Sequence, residues 1–373
     1  MKLKNKSLVL LLALALVGCG NQNDTNNSNT AVVEKEDTKE EKDSTNKTTP
    51  EEKVDNANKD GEQVKEDEKE VSEDKDKSHY DVNLSMLAGP TSVGAINLVE
   101  ESKNGETNFT INEAIDGAPD AVVPKLVSGE ADLAIIPPNL AAAVYNKTEG
   151  KVKVLATNSL GVLYLVTNGD VEINSIEDLV NSGEEILASG KGATPEIAIN
   201  KILTENGYKP EDLKINYLAQ ANEASQKLIA GEAKVAILPE PMVSTVLIKA
   251  EGAKVALDLN ELYEEASGYP LISSVLVGRS EYLDSIDVPA FLDAFKGSIE
   301  KAKADPEATA DLLEKYDVMP APVAKKAIPN LALEYIDGDE LKEMMAKHLE
   351  DLNEANPQLI GGSIPKDDFY FTK

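Results

Sequence analysis

Lys125-Leu-Val-Ser-Gly-Glu-Ala-Asp-Leu-Ala-Ile-Ile-Pro137 returns as Lys227-Leu-Ile-Ala-Gly-Glu-Ala-Lys-Val-Ala-Ile-Leu-Pro239, 102 residues later and with eight of thirteen positions identical. Each copy ends a short apolar strand on proline, just before a helix. The likeness extends outward: Ala95-Ile96-Asn97 recurs as Ala198-Ile199-Asn200 and Lys153-Val154 as Lys254-Val255, each within a residue of the same offset. One spacing this long marks a duplicated domain, not a solenoid; chance similarity between two βα units is the competing reading.

Around the repeat, β-branched runs alternate with helical stretches. Asp81–Ala88 leads to a helix from about Thr91, Phe109–Ile115 to one near Ala118–Ser128, and Asp132–Ile136 to one from about Asn139. The rhythm resumes near Ile176–Val180 and Glu185–Ala188, then the helix Thr194–Asn206, Lys214–Leu218, the helix Ala221–Ala230, Lys234–Leu238 and a helix from Met242. After Ile286 the chain is mostly helical to about Asn353. This predicts an α/β class with βαβ units and a parallel sheet.

Open α/β sheets bind ligands beyond the carboxyl ends of their strands. Four turns fall at that level: Gly89-Pro-Thr-Ser-Val-Gly94, Pro137-Pro138-Asn139, Ser189-Gly-Lys-Gly-Ala-Thr-Pro195 and Pro239-Glu240-Pro241. Small residues, hydroxyls and free backbone N–H groups at a helix start suit a polar head group. The candidate ligand contacts are Gly89, Thr91, Ser92 and Val93; Asn139 and Ser159; Ser189, Lys191, Gly192 and Thr194; Gln220 and Glu240. The competing reading makes Thr91, Ser92 and Thr194 helix caps. Glu240 reads either as a capping carboxylate or as the partner of a donor or positive charge on the ligand.

Catalytic chemistry has little to work with. The chain has two histidines, His79 and His348, and a single cysteine, Cys19. His348 reads as a solvated residue of a charged helix, so neither a Ser-His-Asp triad nor a zinc site is expected, and no cofactor is called for. Gly190-Lys191-Gly192 lacks the Gly-Lys-Ser/Thr ending of a phosphate loop.

The N-terminus carries Lys2, Lys4 and Lys6, an apolar run from Leu8 to Val17, then Gly18-Cys19, the layout of a secretory signal over residues 1–19. The run is too short to span a bilayer. Cys19 sits directly after a small residue, as in a bacterial lipobox, and is read as the lipidated first residue of the mature protein. Residues 20–79 hold 19 acidic and 10 basic side chains and almost no large apolar ones, which predicts a disordered acidic tether. The remainder, from Tyr80, has 48 acidic and 24 basic residues, which disfavours nucleic acid and anionic lipid as partners.

The lipobox, Gly89-Pro-Thr-Ser-Val-Gly94, the paired Gly-Glu-Ala…Pro strands, Ala188-Ser-Gly-Lys-Gly-Ala-Thr-Pro195 and Ile360-Gly-Gly-Ser-Ile-Pro-Lys-Asp-Asp-Phe-Tyr370 together resemble the substrate-binding lipoproteins of ABC importers in the nitrate, taurine, alkanesulfonate and thiamine-precursor family. The resemblance implies a type II periplasmic-binding-protein fold, two Rossmann-like lobes around a central ligand cleft. It places the crossings near Gly161–Val166 and Leu271–Val277, with one lobe of 80–159 plus 274–373 and the other of 160–273. It also implies capture of a small metabolite by closure, delivery to a permease with its ATPase, membrane attachment through Cys19 on the extracytoplasmic face, and a monomer. The rival readings are an enzyme of the same fold, as in menaquinone-pathway proteins, and a ligand-sensing surface lipoprotein.

Scarcities bear on the ligand. Arg279 is the only arginine, whereas bidentate capture of sulfonate or carboxylate favours arginine. There is no tryptophan, so stacking falls to tyrosines such as Tyr145, Tyr164 or Tyr269. A small neutral or cationic metabolite is favoured over sulfonate or nitrate.

Overall fold

The computed structural model describes residues 79–372. The signal segment, Cys19 and the tether up to residue 78 lie outside the described residues.

Ten strands form two five-stranded sheets. The first contains β1 (Tyr80–Leu87), β2 (Phe109–Asp116), β3 (Leu133–Ile136), β4 (Val152–Ser159) and β10 (Ser274–Arg279), in the order β2-β1-β3-β10-β4. The second contains β5 (Leu163–Asn168), β6 (Glu185–Ser189), β7 (Lys214–Leu218), β8 (Val235–Pro239) and β9 (Ala253–Asp258), in the order β7-β6-β8-β5-β9.

The repeat is carried into the register. Leu84 pairs with Glu113 and Leu133, and Ile186 pairs with Ile215 and Val235, every partner shifted by 102 residues. Both copies of the Gly-Glu turn leave a helix through glycine in left-handed backbone, Gly129 at φ 85° and Gly231 at φ 72°, a conformation that costs other residues steric strain. The two repeated strands, β3 and β8, lie at the centre of their sheets. Their side chains alternate between two apolar clusters: Leu133 and Ile135 against Ala134 and Ile136, Val235 and Ile237 against Ala236 and Leu238. Burial on both faces explains why these strands read as unbroken apolar runs.

The sheets are mixed, which corrects the expectation of a parallel sheet. β10 runs antiparallel to β3 and β4, and β5 runs antiparallel to β8 and β9. Each of these strands enters its sheet from the other one and so runs opposite to the βαβ strands beside it. Ile176–Val180, a further point of the alternation, lies in the helix Ile176–Ser182.

The 160–162 connection is closely fitted. Asp258 caps the helix Leu259–Ser267 by accepting from Asn260 N at 2.8 Å, and Asn260 Oδ1 accepts from Leu163 N at 2.9 Å. A Cβ on Gly161 would meet that Oδ1 at 2.2 Å, so only glycine passes there. Helix Val288–Ala304 closes one face of the first sheet with Phe291, Leu292, Phe295 and Ile299.

His348 is a correction. It is 1% exposed and shares one face of helix Gly338–Ala355 with Leu341, Met345, Leu349 and Leu352, so it is a core residue, not a solvated one. Arg279 is also less free than a surface charge: its side chain is 24% exposed and bonded to Asp132.

Candidate ligand site

In each sheet the chain reverses its winding between two central strands, β1 and β3 in the first, β6 and β8 in the second. Such switch points open a crevice at the strands' carboxyl ends. The four predicted turns follow these four strands: Gly89–Gly94 after β1, Pro137–Asn139 after β3, Ser189–Pro195 after β6 and Glu240–Pro241 after β8.

The turn after β1 is held from inside. Gly89 has φ 98° and open space beside its Cα. The hydroxyls of Thr91 and Ser92 both donate to the Leu87 carbonyl, Ser92 at 2.7 Å. Asn158 Nδ2 donates to the Thr91 carbonyl at 3.3 Å and to Ser274 Oγ at 2.9 Å, and Ser274 shares a 2.7 Å hydrogen bond with Ser159. Ser92, Val93, Asn158, Ser159 and Ser274 are fully buried. The structure thus gathers Gly89, Thr91, Ser92, Val93 and Ser159 in one place, with Ser92, Val93 and Ser159 as its supporting layer. Ser298 adds a bond to the Gly94 carbonyl at 2.6 Å.

Asn158, Ser274 and Ser298 escaped the sequence reading. The available signal was the polar ending of apolar β4, Ala156-Thr-Asn-Ser159.

A second group forms at the ends of β6 and β7, where Ser189 pairs with Leu218. Gly192 N donates to Glu196 Oε2 at 2.5 Å. Burial pushes the Tyr217 phenol up to about 12, and the Glu196 carboxylate, its hydrogen-bond partner, adds to the shift. Ser189, Gly192 and Thr194 are partly exposed, while Lys191 and Gln220 are exposed. Asn139, at the start of helix Pro138–Lys147, is partly exposed as well. Among the described residues, the side chains of Asn139, Ser189, Lys191, Thr194 and Gln220 take no hydrogen bond, which leaves two amides, two hydroxyls and one ammonium group available.

Glu240 is a cap. It is 2% exposed; Oε2 accepts from Ser244 N at 3.0 Å, and Oε1 accepts from Ser244 Oγ at 2.9 Å and Asn330 Nδ2 at 3.3 Å. Burial raises its pKa, and the bonds from Ser244 and Asn330 oppose that shift. Asn330 also accepts, through its carbonyl, a 2.9 Å bond from the Tyr164 hydroxyl. Residues of the first sheet's helical cover therefore meet β5 and the end of β8 at this point.

The three tyrosines offered as stacking platforms are packed. Tyr145 donates to Asp368, Tyr164 to Asn330, and Tyr269 to Asp351 and to the Lys347 carbonyl at 3.1 Å. Among the described residues no group of three or more His, Cys, Asp or Glu could hold a metal ion, and no helix is long and apolar enough to cross a membrane.

Two mixed sheets of this order, exchanging one strand's worth of chain in each direction, define the type II periplasmic-binding fold. Residues 110–309, more than half of the chain, match the family described as NMT1/THI5 like, and the chain belongs to that family. Among solved structures, an ABC transporter from Parabacteroides distasonis is 24% identical, with 78% of this chain and 99% of that one covered and a TM-score of 0.68. The periplasmic aliphatic sulphonate binding protein SsuA from Escherichia coli is 16% identical over 78% and 92% of the two chains, with a TM-score of 0.61. The ligand-binding component of an ABC-type import system from Staphylococcus aureus is 14% identical over 79% and 97%, with a TM-score of 0.59. No curated protein sequence matches the chain.

Proposed function

We propose that this chain is the extracytoplasmic solute-binding component of an ABC importer, a non-enzymatic carrier that captures a small metabolite and presents it to a permease and its ATPase. The observation that carries this reading is that the predicted turns follow the four strands flanking the two switch points. Lobe one is 80–159 plus 274–373 and lobe two 160–273, a division supported by the sheet to which each strand belongs. A ligand held between Asn139 on one side and Ser189, Thr194 and Gln220 on the other stabilises the closed arrangement by its differential affinity for it. The carrier itself breaks no covalent bond. The carrier works as a monomer.

A thermal-shift screen of the full chain tests it. A true ligand at a hundredfold excess over its Kd stabilises by about 2.7 kcal/mol. Asn139→Ala with Thr194→Ala is expected to weaken that ligand about thirtyfold, each lost hydrogen bond costing about 1 kcal/mol. An unchanged affinity in the double variant would remove the site from these turns.

Anchoring through a diacylglyceryl group on Cys19, after removal of the signal peptide, would moor the carrier beside its permease. Mass spectrometry of the membrane-bound protein is expected to show the lipid on an N-terminal Cys19. An unmodified cysteine there refutes the anchor.

A further inference from the structure

We propose that the ligand is uncharged or cationic, and that Glu196 is the residue that sets this preference. The inference rests on the solute-binding reading above and specifies the chemistry of that site. A two-lobed cleft holds an oxyanion most readily at helix N-termini, where free N–H groups and the helix dipole converge, or with a guanidinium fork. Here the guanidinium fork is withdrawn, and so are the helix starts of the second sheet.

At the second sheet's switch point the chain's own carboxylates stand at both helix starts. Glu196, in the first turn of helix Thr194–Glu205, folds back to accept from Gly192 N at 2.5 Å. Glu240 occupies the start of helix Met242–Lys249 through Ser244 N at 3.0 Å. An incoming anion would have to displace these groups or bind beside their charge. The only arginine is held elsewhere: Arg279 Nη2 lies 3.0 Å from Asp132 Oδ1, and both residues stand at the far ends of their strands from the turns, Asp132 just before β3 begins and Arg279 at the end of antiparallel β10. In the first sheet, the starts of helices Pro90–Val93 and Pro138–Lys147 carry no acidic first-turn residue and no basic one. Lys191 is the single cation in the four turns; it is exposed and stands five residues from Glu196.

The available groups therefore suit a hydrogen-bonding, non-anionic ligand. The amides of Asn139 and Gln220 and the hydroxyls of Ser189 and Thr194 can each donate or accept. The Glu196 carboxylate, already bonded to Gly192, keeps lone pairs for a donor or a positive charge. Glu240, nearly fully buried, has both oxygens already bonded.

The test uses the full chain at neutral pH with probes sorted by charge: nitrate and ethanesulfonate, an uncharged hydroxymethyl aminopyrimidine, and choline. The expected result is a concentration-dependent rise in melting temperature with an uncharged or cationic probe and none with the anions. Glu196→Gln, which retains an oxygen able to accept from Gly192 N, should weaken choline relative to the uncharged probe about tenfold. A shift with nitrate or ethanesulfonate overturns this inference and leaves solute binding standing. A Glu196→Gln chain that keeps the parent's ratio overturns the role given to Glu196. Silence from every probe overturns the inferred ligand class, while the broad thermal-shift screen decides solute binding separately.

Discussion

Asp132→Ala is expected to lower the unfolding free energy by about 3 kcal/mol, as for removal of one partner from a largely buried ion pair. The carboxylate is 8% exposed and serves three donors: Arg279 Nη2 at 3.0 Å, Asn83 N at 3.0 Å and Asn83 Nδ2 at 2.8 Å. It thereby joins β1, β3 and β10 at one end of the first sheet. Its loss strands a backbone N–H and leaves a guanidinium whose nearest other carboxylate, Glu281, is 3.9 Å away and 84% exposed. Arg279 Nε is already buried without a partner, so the loss would add to a donor that is unsatisfied from the start. Urea unfolding should show a lower midpoint at an unchanged slope. Asp132→Ala combined with Arg279→Leu should recover part of the loss, because the unpaired charge goes with it. A single variant within about 0.5 kcal/mol of the parent, the usual range for surface substitutions, would show that the carboxylate is not the anchor of this corner.

Acidification should expose the buried imidazole. Burial lowers the His348 pKa from 6.5 to about 4, with the charge of Asp351, one turn along, partly opposing the shift. Both ring nitrogens lack a hydrogen-bond partner among the described residues. Between pH 6.5 and 4 the unfolded chain binds a proton that the folded chain refuses, so stability falls as pH falls through that window. It is complete above about 6.5, and the gap between the two values is worth about 3 kcal/mol. Glu240 contributes with the opposite sign, since its raised pKa stabilises the fold on its acid side and that contribution fades as pH rises through the folded value. His348→Leu separates the two. The stability of the parent minus that of the variant should drop by about 3 kcal/mol from pH 7 to pH 4. A difference that stays level with pH would mean that His348 is not held neutral in the core.

At His348 the charged neighbours mask an apolar spacing. Positions 341, 345, 348, 349 and 352 form a stripe of helical period, and that stripe was visible among the acidic residues around it. The antiparallel direction of β5 and β10 was not visible in the same way. Leu163–Asn168 and Ser274–Arg279 look like any other apolar strand, and strand direction depends on where the chain has come from. In the site, the positions of the turns were legible because a helix start after a buried strand demands glycine, proline or a small polar residue. Their bonding was not. Whether Thr91 and Ser92 face a ligand or the Leu87 carbonyl depends on a five-residue turn closing on itself, and the Asn158–Ser274 bond joins residues 116 positions apart.

The duplication is legible from residue order alone, down to a strand register that repeats at 102 residues, because hydrophobic period and turn chemistry are local properties of the chain. Residue order likewise placed the four turns and supplied a single arginine, the residue that bidentate capture of an anion favours. Which polar groups stay open follows from the folded chain: among the described residues Asn139, Ser189, Thr194 and Gln220 are open, and Ser159, Ser92 and Glu240 are consumed. Ser159 is consumed by a residue 115 positions away, Ser92 and Glu240 by turns four or five residues long, and whether each turn closes on itself is fixed by the packing around it.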